Sequence, residues 1–119
     1  MNNHLFTNVI HLEPSDIDGQ NMRISGMTGV NGFIAIYAPW CGHCQSLKKT
    51  WEKLSGERQN SFLAINATDD IVGGKQLAGK LNVSGYPTIL EFMNGQIKGP
   101  YQGQSRSEDN LRERFAKLK

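Results

Sequence analysis

Phe33-Ile34-Ala35-Ile36-Tyr37-Ala38-Pro39-Trp40-Cys41-Gly42-His43-Cys44 is the stretch from which the rest of the chain can be read. Phe33 to Tyr37 is an unbroken β-branched and aromatic run, the pattern of a central strand buried on both faces. Ala38-Pro39 ends it. From Cys41 the pattern is helical: Leu47, Trp51 and Leu54 share one face, with Lys48, Lys49, Glu52 and Lys53 on the others. A strand that runs into a helix sets Cys41 at the helix N-terminus, where unpaired N–H groups and the positive dipole end favour thiolate over thiol. Such settings lower a free cysteine's pKa from about 8.5 into roughly 3.5–7.5. Cys44, one turn deeper, returns beside Cys41, close enough to close a disulfide and less exposed. That asymmetry makes Cys41 the attacking thiol and Cys44 the resolving one. Gly42 brings no side chain into the tight turn. His43, when cationic, stabilises the reduced thiolate and makes the disulfide more oxidising; a purely solvated His43 is the alternative.

Outward from this stretch, Asn8–Leu12 reads as a short first strand, and Glu13-Pro14-Ser15-Asp16 carries helix-start chemistry. Residues 19–32 hold four glycines and no clear period, which predicts loop around a short helix. Phe62–Ala67 reads as a strand and Gln76–Leu81 as a short helix. Thr88–Met93 reads as a strand turned back at Asn94-Gly95, with Ile97–Gln102 as its partner. Ser105 and Glu108 suit a capping box opening a last helix, with Leu111, Phe115 and Leu118 on one face. The order βαβαβαββα predicts an α/β sandwich around a mixed sheet.

The 119 residues fit one domain, 1–119, with 1–7 as a loose N-terminal segment. A net charge of +2 without a basic run gives no case for nucleic acid, and no apolar stretch nears the roughly 18 residues of a membrane span. The two cysteines allow one disulfide at most. Zinc wants four ligands and there is no second cysteine pair; His4 and His11 read as structural or solvated. Gln45 after Cys44 excludes a C-x-x-C-H haem attachment. Asn66-Ala67-Thr68 and Asn82-Val83-Ser84 are glycosylation sequons, the first on an expected interior strand.

Tyr37-Ala38-Pro39-Trp40-Cys41-Gly42-His43-Cys44, with Gly85-Tyr86-Pro87-Thr88 and Asn94-Gly95, closely resembles the catalytic domain of the protein disulfide isomerase family, from about Asn8 to the C-terminus. The resemblance implies an α/β thioredoxin fold, a central mixed sheet flanked by helices on both faces. It implies a cis Tyr86–Pro87 bond beside the thiols, where the backbone pairs with an extended substrate. Trp40, Gly85, Tyr86 and Pro87 would then meet client chains, although Trp40 read alone also suits core packing. Trp51 reads as core.

Three departures from the family pattern stand out. The family's buried carboxylate, six residues before the first cysteine, is Ala35 here, and its lysine partner is Ala64. Losing both avoids an unpaired buried charge but leaves Cys44 without that proton acceptor. Glu91 either replaces it from the opposite strand, with a pKa raised by burial, or reaches solvent through a bulge or local twist. The family's helix-bending proline is Lys49, which predicts a straighter helix. The family's Tyr-x-Gly-x-Arg becomes Tyr101-Gln102-Gly103-Gln104-Ser105-Arg106, one residue longer. Arg106 is either the arginine that helps Cys44 ionise or a solvated arginine near a helix start.

The expected function is thiol–disulfide oxidoreduction: forming, reducing or isomerising disulfides in proteins through Cys41 and Cys44, with no metal or organic cofactor. Its partners would be cysteine-containing polypeptides and glutathione or another thiol/disulfide couple, acting on a monomer. The alternatives are a thioredoxin-like reductase and a redox-poised client-binding module. Residues 1–10 lack the marks of a signal peptide. The expected compartment is the cytoplasm if the chain is complete as given, and the endoplasmic reticulum lumen if a signal was removed.

Overall fold

The computed structural model describes residues 4–118. Strands are β1 (Ile17–Asp18), β2 (Arg23–Ile24), β3 (Gly32–Tyr37), β4 (Phe62–Asn66), β5 (Thr88–Met93) and β6 (Gln96–Pro100); helices are α1 (Gly42–Glu57), α2 (Gly74–Lys80) and α3 (Glu108–Ala116). One six-stranded sheet has the order β1-β2-β6-β5-β3-β4. Strand β3 pairs in parallel with β4 and antiparallel with β5, so the sheet is mixed and β3 lies inside it. All six of its residues are buried, as the continuous apolar run predicts.

Alternation along the strands sends side chains to two cores. Phe33, Ala35, Tyr37 and Phe62 pack with Cys44, Leu47, Trp51 and Leu54 of α1 and Leu111 of α3. Ile34, Ile36, Leu63, Ile65 and Phe92 pack on the other face with Leu77 and Ala78 of α2. Trp51 is fully buried, and its indole N–H donates to the Leu63 carbonyl at 3.0 Å, which makes that burial tolerable. Asn94 and Gly95 both have positive φ (52° and 75°), the two-residue turn that the β5–β6 hairpin requires. Helix α1 continues unbroken through Lys49. No helix among the described residues is long and apolar enough to cross a membrane.

Four local expectations are corrected. Asn8–Leu12 is not a strand: it makes a single parallel bridge, His11 to Ala64, because Asn8 turns left-handed (φ 58°) and Pro14 lacks the N–H to extend a ladder. Residues 19–32 contain β2, which pairs with β1; two-residue strands are too short to show a period. Helix α3 is capped by Ser107, whose Oγ accepts the Asn110 N–H at 3.2 Å. Ser105 bonds to Ser107 and Asn110 instead, and Glu108 pairs with Lys53 of α1 at 2.9 Å. Of the segment expected to be loose, residues 1–3 lie outside the described residues. Phe6, however, is buried and stacks on Tyr37 with centroids 4.3 Å apart, since a phenyl ring gains from leaving water.

Candidate active site

The β3–α1 junction builds the site. Tyr37 and Ala38 end the strand, and the Cys41 N–H donates back to the Ala38 carbonyl at 3.1 Å, closing the turn over Pro39 and Trp40. Cys41 is the N-cap of α1, extended at φ −82° and ψ 124°, and its Sγ accepts the Cys44 N–H at 3.3 Å. A sulfur therefore takes the place of the oxygen that commonly satisfies a first-turn donor. Cys41 is 9% exposed and Cys44 not at all, in the order expected for an attacking and a resolving thiol.

The two thiols are held at opposite acidities. Burial pushes Cys41 up, but the Cys44 thiol, the N–H groups of Cys44 and His43, and the Arg106 charge outweigh it, and the net shift is downward. Burial raises Cys44, and its bond to Cys41 raises it further. Cys41 is thus the group that ionises first, with the Cys44 thiol and then the N–H groups of the helix start as the reasons.

Around the pair, the Cys41 thiol donates to the Tyr86 carbonyl at 3.5 Å, and the Tyr86–Pro87 bond is cis. Trp40 stands 71% exposed, edge-on to Tyr86 with centroids 6.0 Å apart, so it is a rim residue and not core. Gly85 is exposed, and its carbonyl accepts the Thr88 hydroxyl at 2.6 Å. Gly42 is exposed with open space where a Cβ would project. The His43 backbone N–H reaches Cys41, and its imidazole is exposed. Arg106 is exposed, and with Pro87, Thr88 and Tyr101 it lines a groove of about 470 Å³ beside the proline.

Ala35 lies abreast of Ala64 on one side and Ile89 on the other, so the two replaced positions do face each other. Glu91 is in neither of its expected settings, and both the raised pKa and the reach to solvent are corrected. The strand register does shift at Glu91/Phe92, yet the residue stays only 4% exposed. It accepts two hydrogen bonds from Arg114, at 2.6 Å from Nε and 2.9 Å from Nη2, and one from the Gln102 N–H at 2.9 Å. Burial raises its pKa, but these donors and the Arg114 charge more than reverse that, and the carboxylate sits below its ordinary range.

A second cluster, around the two histidines that read as structural or solvated, lies at the end of β3. His4 and His11 stack in parallel at 3.7 Å, His11 meets the Tyr37 hydroxyl at 2.7 Å, and His4 meets the Asn66 amide at 3.1 Å. Contacts across 26 and 62 residues leave no local pattern to read.

The thioredoxin family model matches residues 29–117. A thioredoxin domain-containing protein 5 homolog from Drosophila melanogaster is 37% identical over 103 residues, covering 84% of this chain and 24% of that protein. A protein disulfide-isomerase like 2-2 from Arabidopsis thaliana is 35% identical over 95 residues, covering 80% and 20%. The chain thus spans about a quarter or less of these relatives. The J-Trx1 fragment of ERdj5 superposes with a TM-score of 0.64 at 28% identity, covering 87% of this chain and 48% of that one. Spinach chloroplast thioredoxin f, at 19% identity and a TM-score of 0.67, shares the fold over 97% of this chain and 96% of its own. With a helix-capping thiol, a buried second thiol and the family match over most of its length, the chain belongs to the thioredoxin family, and protein disulfide isomerases are among its relatives.

Proposed function

We propose that the protein is a thiol–disulfide oxidoreductase of the protein disulfide isomerase type, working as a single domain on cysteine-bearing polypeptides. The observation that carries this reading is the Cys44 N–H held on the Cys41 sulfur at the start of α1, with Cys44 buried one turn below. The Cys41 thiolate attacks a client disulfide, forms a mixed disulfide and releases one client thiolate. The Cys44 thiolate then attacks the Cys41 sulfur, releasing the second client thiolate and leaving the Cys41–Cys44 disulfide. Two electrons pass to the client, and glutathione or another thiol restores the pair. Run backwards, the same steps oxidise a client dithiol. In isomerisation the first step is followed by attack of client thiolates within the mixed disulfide, which forms the rearranged client disulfide and expels the Cys41 thiolate with no net electron transfer. Cys44 is the escape from a stalled intermediate.

Trp40, Gly85, Tyr86 and Pro87 form the client-facing rim. Its exposed aromatic edge suits unfolded chain, and the exposed backbone at Gly85 suits an extended segment that pairs by main-chain hydrogen bonds. Insulin reduction and refolding of a scrambled disulfide protein test the reading together. An isomerase is active in both and a reductase mainly in the first; inactivity in both leaves a client-binding module and overturns the proposal.

A further inference from the structure

A buried carboxylate on a sheet strand costs several kcal/mol in desolvation, and an apolar side chain would fill the same space without that cost. What Glu91 holds is therefore informative. Its oxygens accept from the Gln102 N–H, just after β6, and from the guanidinium of Arg114 on α3. One side chain thus ties the start of the 102–107 connection to the last turn of the helix that follows it. Inside that connection the Tyr101 hydroxyl donates to the Ser105 carbonyl at 2.6 Å, and the Tyr101 N–H donates to the Ile89 carbonyl at 2.8 Å, next to Pro87 and Thr88. Arg106 is carried on this closed loop, facing the groove that Pro87 and Thr88 line from the other side. The Cys41 thiol lies against the same turn, on the Tyr86 carbonyl.

We propose that Glu91 is a positioning residue for the thiol pair: clamped between Gln102 and Arg114, it fixes the start of the 102–107 loop against α3 so that Arg106 is held at the Pro87 flank of Cys41 and Cys44. This rests on the reading of that pair as the reactive centre. The Arg106 charge favours the thiolate form of both cysteines. The extra residue between Tyr101 and Arg106 gives the loop more freedom to lose, and a clamp at its first residue restricts that freedom where the arginine depends on it. Tyr101 also lies against the clamp; burial and then the Glu91 charge raise its pKa, with Glu113 adding to the rise and Arg114 opposing it.

The test is a double-mutant cycle read by the pH dependence of Cys41 alkylation with iodoacetamide, located by mass spectrometry. Glu91→Leu with Arg114→Met replaces the clamp by an apolar pair, which avoids stranding a buried charge. In the Arg106 background this replacement should slow alkylation at pH 6 by about threefold and move the pH midpoint upward; in an Arg106→Gln background it should do nothing further. Glu91→Gln, which keeps an acceptor for the Gln102 N–H, should recover part of the rate, and it takes the same cycle if the apolar pair does not fold. An equal slowing in both backgrounds, or none in either, overturns the proposal. Insulin and refolding assays on the unsubstituted protein separately report failure of the oxidoreductase reading, because alkylation reads the thiol and not turnover.

Discussion

The Tyr37 hydroxyl donates to His11 Nε2 at 2.7 Å, and the direction of that bond follows from the other side of the ring. His11 Nδ1 lies 2.9 Å from the Val9 carbonyl, which can only accept, so Nδ1 carries the proton and Nε2 is the lone-pair nitrogen. Burial, then the neighbouring His4, lower the His11 pKa to about 4, against weaker upward pulls from the Val9 carbonyl and Asp69. The unfolded chain's histidine titrates near 6.5, so between about 6.5 and 4 the unfolded state binds more protons than the folded one. Stability should therefore fall as pH drops through that window. Urea midpoints followed by tryptophan fluorescence should show the loss, and His11→Gln, which keeps an acceptor for Tyr37, should flatten it. An unchanged slope in that variant would remove His11 as the cause.

The split acidity of the two thiols gives an order of reaction. With limiting iodoacetamide at pH 7, Cys41 should be modified first and Cys44 should stay largely free, because Cys44 is buried and its pKa raised. Cys44→Ser should still attack client disulfides and then stall as a mixed disulfide at Cys41, visible on non-reducing gels. Early modification of Cys44 would reverse the assigned roles.

The two tryptophans should behave oppositely. Trp51 is fully buried and bonded to Leu63, so Trp51→Ala should cost about 3–5 kcal/mol in urea unfolding. Trp40 is 71% exposed, so Trp40→Ala should change stability by less than about 0.5 kcal/mol. Its cost should instead appear as a raised KM for protein clients and little change toward glutathione. A stability loss at Trp40 comparable to that at Trp51 would contradict its place on the rim.

The direction of electron flow is read from the reduction potential of the Cys41–Cys44 pair, by equilibration against glutathione. Stabilisation of the Cys41 thiolate by the Cys44 thiol, the N–H groups of the helix start and Arg106 favours the reduced form. The expected potential is therefore near the roughly −180 mV of disulfide isomerases. A value near the roughly −270 mV of thioredoxin would make reduction the main activity.

Much of this protein is written in short-range pattern. The strand from Phe33, the helix from Cys41, the Asn94-Gly95 hairpin and the sulfur at the helix cap all follow from neighbours within one or two turns, where hydrophobic period and backbone preference act directly. The exposed Trp40 was ambiguous, because an aromatic residue next to a turn suits a core or a rim equally well until its neighbours are in place.

What only the tertiary structure decided depends on groups far apart in the chain. Whether Glu91 is a raised-pKa acid or a lowered-pKa anchor turns on Arg114, 23 residues away, whose two hydrogen bonds and charge reverse the effect of burial. The capping signal at Ser105 and Glu108 misleads because Glu108 is drawn to Lys53 on another helix. The state of His11 depends on Tyr37 across 26 residues. The sequence by itself determined the fold class and the placing of two thiols one turn apart at a helix start, because local backbone preference and hydrophobic period encode both. The environment of each buried charge was settled only on folding, because desolvation and charge pairing depend on which distant groups arrive together.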